Sequence, residues 1–125
     1  MIRFGIVGTS WITEEFIRCA KLYPEFKMSA VYSRTLEKAD EFANKVGAEH
    51  IFTDLEAMAK SDLIDAVYIA SPNSLHAEQS LLFMEHQKHV LCEKPASANV
   101  EELKKMIQTA KANKVAFMEA MKSIL

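Results

Sequence analysis

Apolar runs and amphipathic stretches alternate along the chain, and their spacing predicts strands and helices in turn. Ile2 to Val7 is a short apolar run that reads as a buried strand. The small residues Gly8, Thr9 and Ser10 form a tight turn after it. From Trp11 onward Ile12, Phe16, Cys19 and Ala20 fall on one face of a helix. Tyr23-Pro24-Glu25 breaks that pattern, and Phe26 to Tyr32 alternates as a second strand. Thr35 caps a helix running to about Val46, with Ala39, Phe42, Ala43 and Val46 inward and Gly47 as its stop. His50-Ile51-Phe52 is a short third strand. Thr53-Asp54-Leu55-Glu56 has capping-box form and opens a short helix. Ala66 to Ala70 is wholly apolar, as expected of a strand covered on both faces. Ser71-Pro72-Asn73-Ser74 ends it and opens a helix to about Glu85, with Asn73 or Ser74 as N-cap. His89 to Cys92 is the fifth strand, and Glu93-Lys94-Pro95 follows as a loop. Asn99 with Glu102 forms a second capping box, for a helix to about Asn113. Lys114 to Met118 is the sixth strand.

Six strands joined by helical crossovers of this length must pair mostly in parallel, through right-handed connections. The expected fold class is α/β, a doubly wound sheet of order 3-2-1-4-5-6, with one domain over residues 1–125. In such sheets ligands bind beyond the carboxyl ends of the strands, where the strand order reverses. Four loops should therefore line one crevice: Gly8 to Ser10, Ser33-Arg34, Ser71 to Asn73, and Glu93 to Pro95.

Composition narrows the partners of that crevice. The chain has 125 residues, enough for a real core. Its net charge of −2, with mixed signs throughout, argues against nucleic acid or an anionic membrane as partner. There is no signal-peptide pattern and no apolar run that would span a bilayer. Cys19 and Cys92 lack CxxC spacing and suit a reducing compartment, so a cytoplasmic protein is expected. His86, His89 and Cys92 have a spacing that invites a metal reading. They straddle a helix end and a strand whose side chains alternate faces, so no metal site is expected.

The first turn carries a candidate phosphate site. A strand turning sharply into a helix presents free N–H groups and the positive end of the helix dipole. The pattern G-x-G-x-x-G, started at Gly8, places Ser10 and Thr13 at its other glycine positions. Ser10 either crowds a phosphate or donates to it. Trp11 either walls the ligand or covers the sheet.

At Ser71-Pro72-Asn73 with His76, and at Lys88 to Pro95, the chain resembles the N-terminal domain of the glucose–fructose oxidoreductase, inositol dehydrogenase and rhizopine-catabolism family. The resemblance runs from Ile2 to Met121. It implies an NAD- or NADP-dependent oxidoreductase acting on a sugar, cyclitol or related diol. It also implies a second α/β domain, absent from these residues, that holds the substrate, supplies an Asp or His acid/base and mediates oligomerisation. Without that domain the chain is expected to be inactive, and the alternative is a non-catalytic regulatory or sensor module. By the resemblance Lys94 is the catalytic residue, reaching the nicotinamide and the substrate hydroxyl. The expected cofactor contacts are Gly8, Thr9, Ser10, Trp11, Ile12, Ser33, Arg34, Lys38, Ala70, Ser71, Pro72, Asn73, His76, Glu93 and Lys94. Within that set His76 either faces the cleft or supports a helix end, and Glu93 either anchors Lys94 or touches the cofactor. Pro95 shapes the turn, through a cis or a trans bond.

Cofactor preference turns on Ser33 and Arg34. They follow the second strand, about 25 residues beyond Gly8, close to the ~20-residue offset of the acid that binds ribose hydroxyls. Ser33 lacks the carboxylate that would repel a 2′-phosphate. Arg34 can pair with a phosphate and stack on adenine, and Lys38 adds charge one turn on. NADP is therefore the expected cofactor, with NAD the second choice.

Overall fold

A computed structural model describes residues 2–8, 17–18, 22–93 and 99–120. Among them six strands form one sheet: β1 (Ile2–Val7), β2 (Phe26–Tyr32), β3 (His50–Phe52), β4 (Ala66–Ile69), β5 (His89–Glu93) and β6 (Phe117–Ala120). The order is β3-β2-β1-β4-β5-β6, and every pairing is parallel. Helices α1 (Leu36–Val46), α2 (Leu55–Lys60), α3 (His76–Glu85) and α4 (Val100–Ala112) lie between them in the chain.

The alternation of side chains along the strands builds two cores, one on each face. Ile6, Val31 and Tyr68 pack with Ile17 and with Phe42, Ala43 and Val46 of α1. Their neighbours in sequence, Val7, Ala30, Val67 and Ile69, point the other way. They meet Met58 of α2, Phe83 and Met84 of α3, and Met106 of α4. β4 is buried at all four positions because helices cover both of its faces.

Local signals set the helix ends. Thr35 accepts a hydrogen bond from the Lys38 N–H, and Gly47 ends α1 at φ +79°, a conformation glycine adopts without a Cβ penalty. Asn99 accepts from the Glu102 N–H at 2.8 Å. At α2 the cap is Asp54, which accepts from the Glu56 N–H at 3.2 Å, rather than the threonine that heads the box.

Several boundaries differ from expectation: β4 ends at Ile69 and not Ala70, and β6 runs on to Ala120 and not Met118. The residues after β4 form a 3₁₀ turn (Asn73–Leu75), and α3 starts only at His76, behind Leu75. Neither Asn73 nor Ser74 is its N-cap. The fifth strand runs one residue further, so Glu93 belongs to β5 and not to the loop. β6 begins at Phe117 instead of Lys114. Lys114 sits at φ +56° and its N–H donates to Lys111 O, so it completes the turn out of α4.

At the edge where the strands begin, Arg3 clamps β1 to the start of β4. Its Nε and Nη2 donate to the two carboxylate oxygens of Asp65 at 3.1 and 2.9 Å, and its Nη1 donates to Asp62 O at 2.7 Å. These side-chain hydrogen bonds hold the Asp65 carboxyl down at about 2, against an ordinary value of 3.8. A lowered carboxyl contributes stability that is fully present above about pH 4 and is lost as pH falls through about 2. Both side chains are more than a third exposed, which limits the contribution to about 1 kcal/mol by solvent screening. Urea unfolding of Asp65→Asn should show a loss of that size at pH 7, shrinking as the pH approaches 2.

Candidate functional site

The register fixes which residues share the opposite edge. Phe52, Tyr32, Val7, Ile69, Cys92 and Glu119 stand in one row across the six strands. One residue further along each strand come Thr53, Ser33, Gly8, Ala70, Glu93 and Ala120. Of these, Ser33 and Gly8 open two of the four loops expected at one crevice, Ala70 directly precedes the Ser71–Asn73 loop, and Glu93 ends the strand before Lys94-Pro95. The chain leaves β1 for β2 on one side and enters β4 from β3 on the other, so strand order reverses between β1 and β4. Gly8 and Ala70 flank that point.

Gly8 makes the reversal point tight. Its φ is +109°, and a Cβ there would lie 2.6 Å from the Ala70 carbonyl oxygen and 3.1 Å from the Ser71 nitrogen. The Ala70 N–H also donates to Val7 O at 2.8 Å, so the ends of β1 and β4 run against each other. Only a glycine lets the backbones approach this closely at this φ. That gives the first position of the glycine fingerprint a physical role here. Thr9, Ser10, Trp11 and Ile12 lie outside the described residues.

The β4 loop is held from behind by α3. The Ser71 hydroxyl donates to Gln79 Oε1, and His76 Nε2 bonds Ser71 O at 2.7 Å. Both side chains are buried, His76 with 1% of its surface exposed and Gln79 with 6%. His76 thus bears on the crevice through the Ser71 carbonyl, with its ring inside the protein. Leu75 N–H donates to Pro72 O at 2.9 Å and closes the turn of the Pro72-Asn73 segment. Gln79 was not anticipated. The available signal is a long polar side chain in step with His76 and Phe83 on the inner face of α3.

On the β2 side, the Ser33 N–H donates to Phe52 O at 3.1 Å and extends the ladder by one residue. The Arg34 side chain is exposed beside it. The Lys38 N–H donates to Thr35 Oγ1 at 3.3 Å, and the Lys38 side chain is exposed. No acidic residue stands at the end of β2, where Tyr32, Ser33 and Arg34 follow one another.

On the β5 side, Glu93 is half-buried and accepts a hydrogen bond from the Tyr68 hydroxyl. Burial, and then this carboxylate, push the Tyr68 phenol far above its ordinary 10, so it remains a donor. Lys94 and Pro95 follow Glu93 in sequence and lie outside the described residues. His86 Nδ1 bonds Leu82 O, His89 Nδ1 accepts from the Ala116 N–H, and burial pushes the Cys92 thiol up to about 11. Each of the three residues is thus engaged separately.

A parallel doubly wound sheet with a glycine-tightened reversal point defines a nucleotide-binding protein of the Rossmann class. Residues 2–121 match the family model for the oxidoreductase family with an NAD-binding Rossmann fold, and the chain belongs to that family. It is 58% identical over 123 residues to the scyllo-inositol 2-dehydrogenase (NADP(+)) IolU of Bacillus subtilis (strain 168), covering 98% of this chain and 38% of that protein. It is 35% identical to the trans-1,2-dihydrobenzene-1,2-diol dehydrogenase of Danio rerio, covering 95% and 36%. Among solved structures, the 3-ketoreductase KijD10 of Actinomadura kijaniata in complex with NADP and TDP-benzene superposes with a TM-score of 0.88 at 28% identity, over 94% of this chain and 36% of that one. The scyllo-inositol dehydrogenase of Lactobacillus casei with NAD(H) and scyllo-inositol gives 0.85 at 27% identity, over 96% and 36%. The chain therefore spans little more than a third of the length of these relatives. Among the described residues no helix is long and apolar enough to cross a membrane.

Proposed function

We propose that the chain is the cofactor-binding part of an NADP-dependent oxidoreductase acting on a cyclitol, sugar or related diol. The observation that carries this reading is the single row of Ser33, Gly8, Ala70 and Glu93 at the reversal point. The residues present fit a dinucleotide. Gly8 lets the ends of β1 and β4 close together at the reversal point, where a Cβ would strike the Ala70 backbone, and the pyrophosphate would lie beside it. Ser33 and Arg34 would hold the adenosine ribose and its 2′-phosphate. Ser71, pinned by Gln79 and His76, would orient the other half with Pro72-Asn73 and Glu93. A nicotinamide cofactor, once bound, supplies hydride exchange with a carbinol carbon. Lys94 would hold the substrate hydroxyl and take or return its proton. A second domain would complete the substrate site with an Asp or His, so these 125 residues alone should bind cofactor and turn over no polyol.

The preference for NADP is the part of this reading most open to direct test. Calorimetric titration at one fixed salt concentration should give tighter binding of NADP(H) than NAD(H). Arg34→Ala should remove most of the difference, about 2 kcal/mol for a charge-assisted pair. Equal affinities in the unmodified chain, or a preference for NAD(H), would refute the assignment of Arg34.

A further inference from the structure

Tyr68 is the only hydroxyl-bearing side chain in a strand otherwise made of Ala66, Val67 and Ile69. With 1% of its surface exposed, its ring fills the core between the sheet and α1, against Ile6, Val31 and Phe42. A phenylalanine would fill that volume as well, so the oxygen must be explained separately. β4 and β5 pair in parallel with Tyr68 beside Leu91, which puts Tyr68, Leu91 and Glu93 on the same face. The hydroxyl thus points along the sheet toward its carboxyl edge, where it donates to Glu93 Oε2. This bond ties the buried core to a half-buried carboxylate in the crevice row. Glu93 itself pairs with Ala120 of β6, which carries β5 to this edge of the sheet. A hydrogen bond to a charged group is among the stronger ones, and a buried donor left without an acceptor is costly.

From this geometry we infer that Tyr68 is a positioning residue for the cofactor site, acting through Glu93. It fixes the carboxylate at the strand end, so that one oxygen is held by the core and the other is presented to the crevice. The inference rests on the function proposed above, since it takes the crevice to hold a nicotinamide dinucleotide.

The test is a double-mutant cycle on the whole chain, read by calorimetric titration with NADPH alongside thermal unfolding. Tyr68→Phe should weaken NADPH binding about tenfold, the order expected for one lost hydrogen bond to a charged group. In a Glu93→Ala background Tyr68→Phe should have no further effect on affinity. Glu93→Gln keeps an acceptor for the phenol, so in that background Tyr68→Phe should still weaken binding. A merely structural tyrosine would lower the unfolding temperature and leave affinity alone, or lower affinity by the same factor in every background. Either result overturns the inference while leaving the proposed function standing. Glu93→Ala alone, with Tyr68 in place, should also weaken binding, and an unchanged affinity there overturns the inference as well. Absence of NADPH binding by the unmodified chain overturns both.

Discussion

Gly8→Ala should be the most damaging single substitution at the crevice, lowering stability by about 3 kcal/mol and abolishing measurable cofactor binding. Two independent costs combine. At φ +109° an L-residue is strained, at about 1–3 kcal/mol for backbone held in a sparsely populated region. The added methyl would also sit 2.6 Å from the Ala70 carbonyl oxygen and 2.7 Å from its carbon. Those are backbone atoms in a packed sheet, so relief requires the ends of β1 and β4 to separate. Separation would break the Ala70 N–H to Val7 O bond and shift Ser71 away from Gln79 and His76. Denaturant unfolding measures the first effect, and titration of the folded fraction with NADPH measures the second. A Gly8→Ala chain of unchanged stability and affinity would show that β1 and β4 do not meet as described.

The second large effect concerns chemistry. In a form of the protein that carries its substrate-binding part, Lys94→Ala should lower kcat by roughly 10² or more, as for loss of a general acid–base group. NADP(H) affinity should change far less, because pyrophosphate and ribose contacts are assigned to the β1 and β2 loops. Steady-state kinetics with a cyclitol or diol substrate, joined to cofactor titration, separates the two. An unchanged kcat would make Lys94 a surface residue and move the proton transfer elsewhere.

The reasons these residues sit where they do are unequally legible in the sequence. The strand order follows from alternation and crossover length, and α1 follows from the spacing of Ala39, Phe42, Ala43 and Val46 between Thr35 and Gly47. These are local signals, each complete within a dozen residues. The start of β6 is hidden in the sequence because Val115, Ala116 and Phe117 have the same apolar character in a turn as in a strand. What decides the boundary is the positive φ of Lys114, in a residue with no turn signature. In sequence Glu93 reads with Lys94-Pro95 as a loop, since glutamate is a weak strand former. Its place in β5 depends on pairing with Ala120 of β6, and so on the register of two strands. The pinning of Ser71 by Gln79 and His76 similarly depends on how α3 docks on the sheet. That the carboxyl ends of β1, β2, β4 and β5 share one edge follows from topology alone, whereas the side chains that brace Ser71 and Glu93 depend on the packing.

Backbone amide chemical-shift mapping of the labelled chain on addition of NADPH bears most directly on the crevice. Saturable shifts should be largest at Gly8, Ser33, Arg34, Ala70, Ser71 and Glu93, the residues at and beside the carboxyl ends of β1, β2, β4 and β5. Asp65, Gln87 and His89, at the opposite edge, should stay unmoved. Shifts concentrated at that opposite edge, or none at saturating NADPH, would contradict a dinucleotide site at the reversal point.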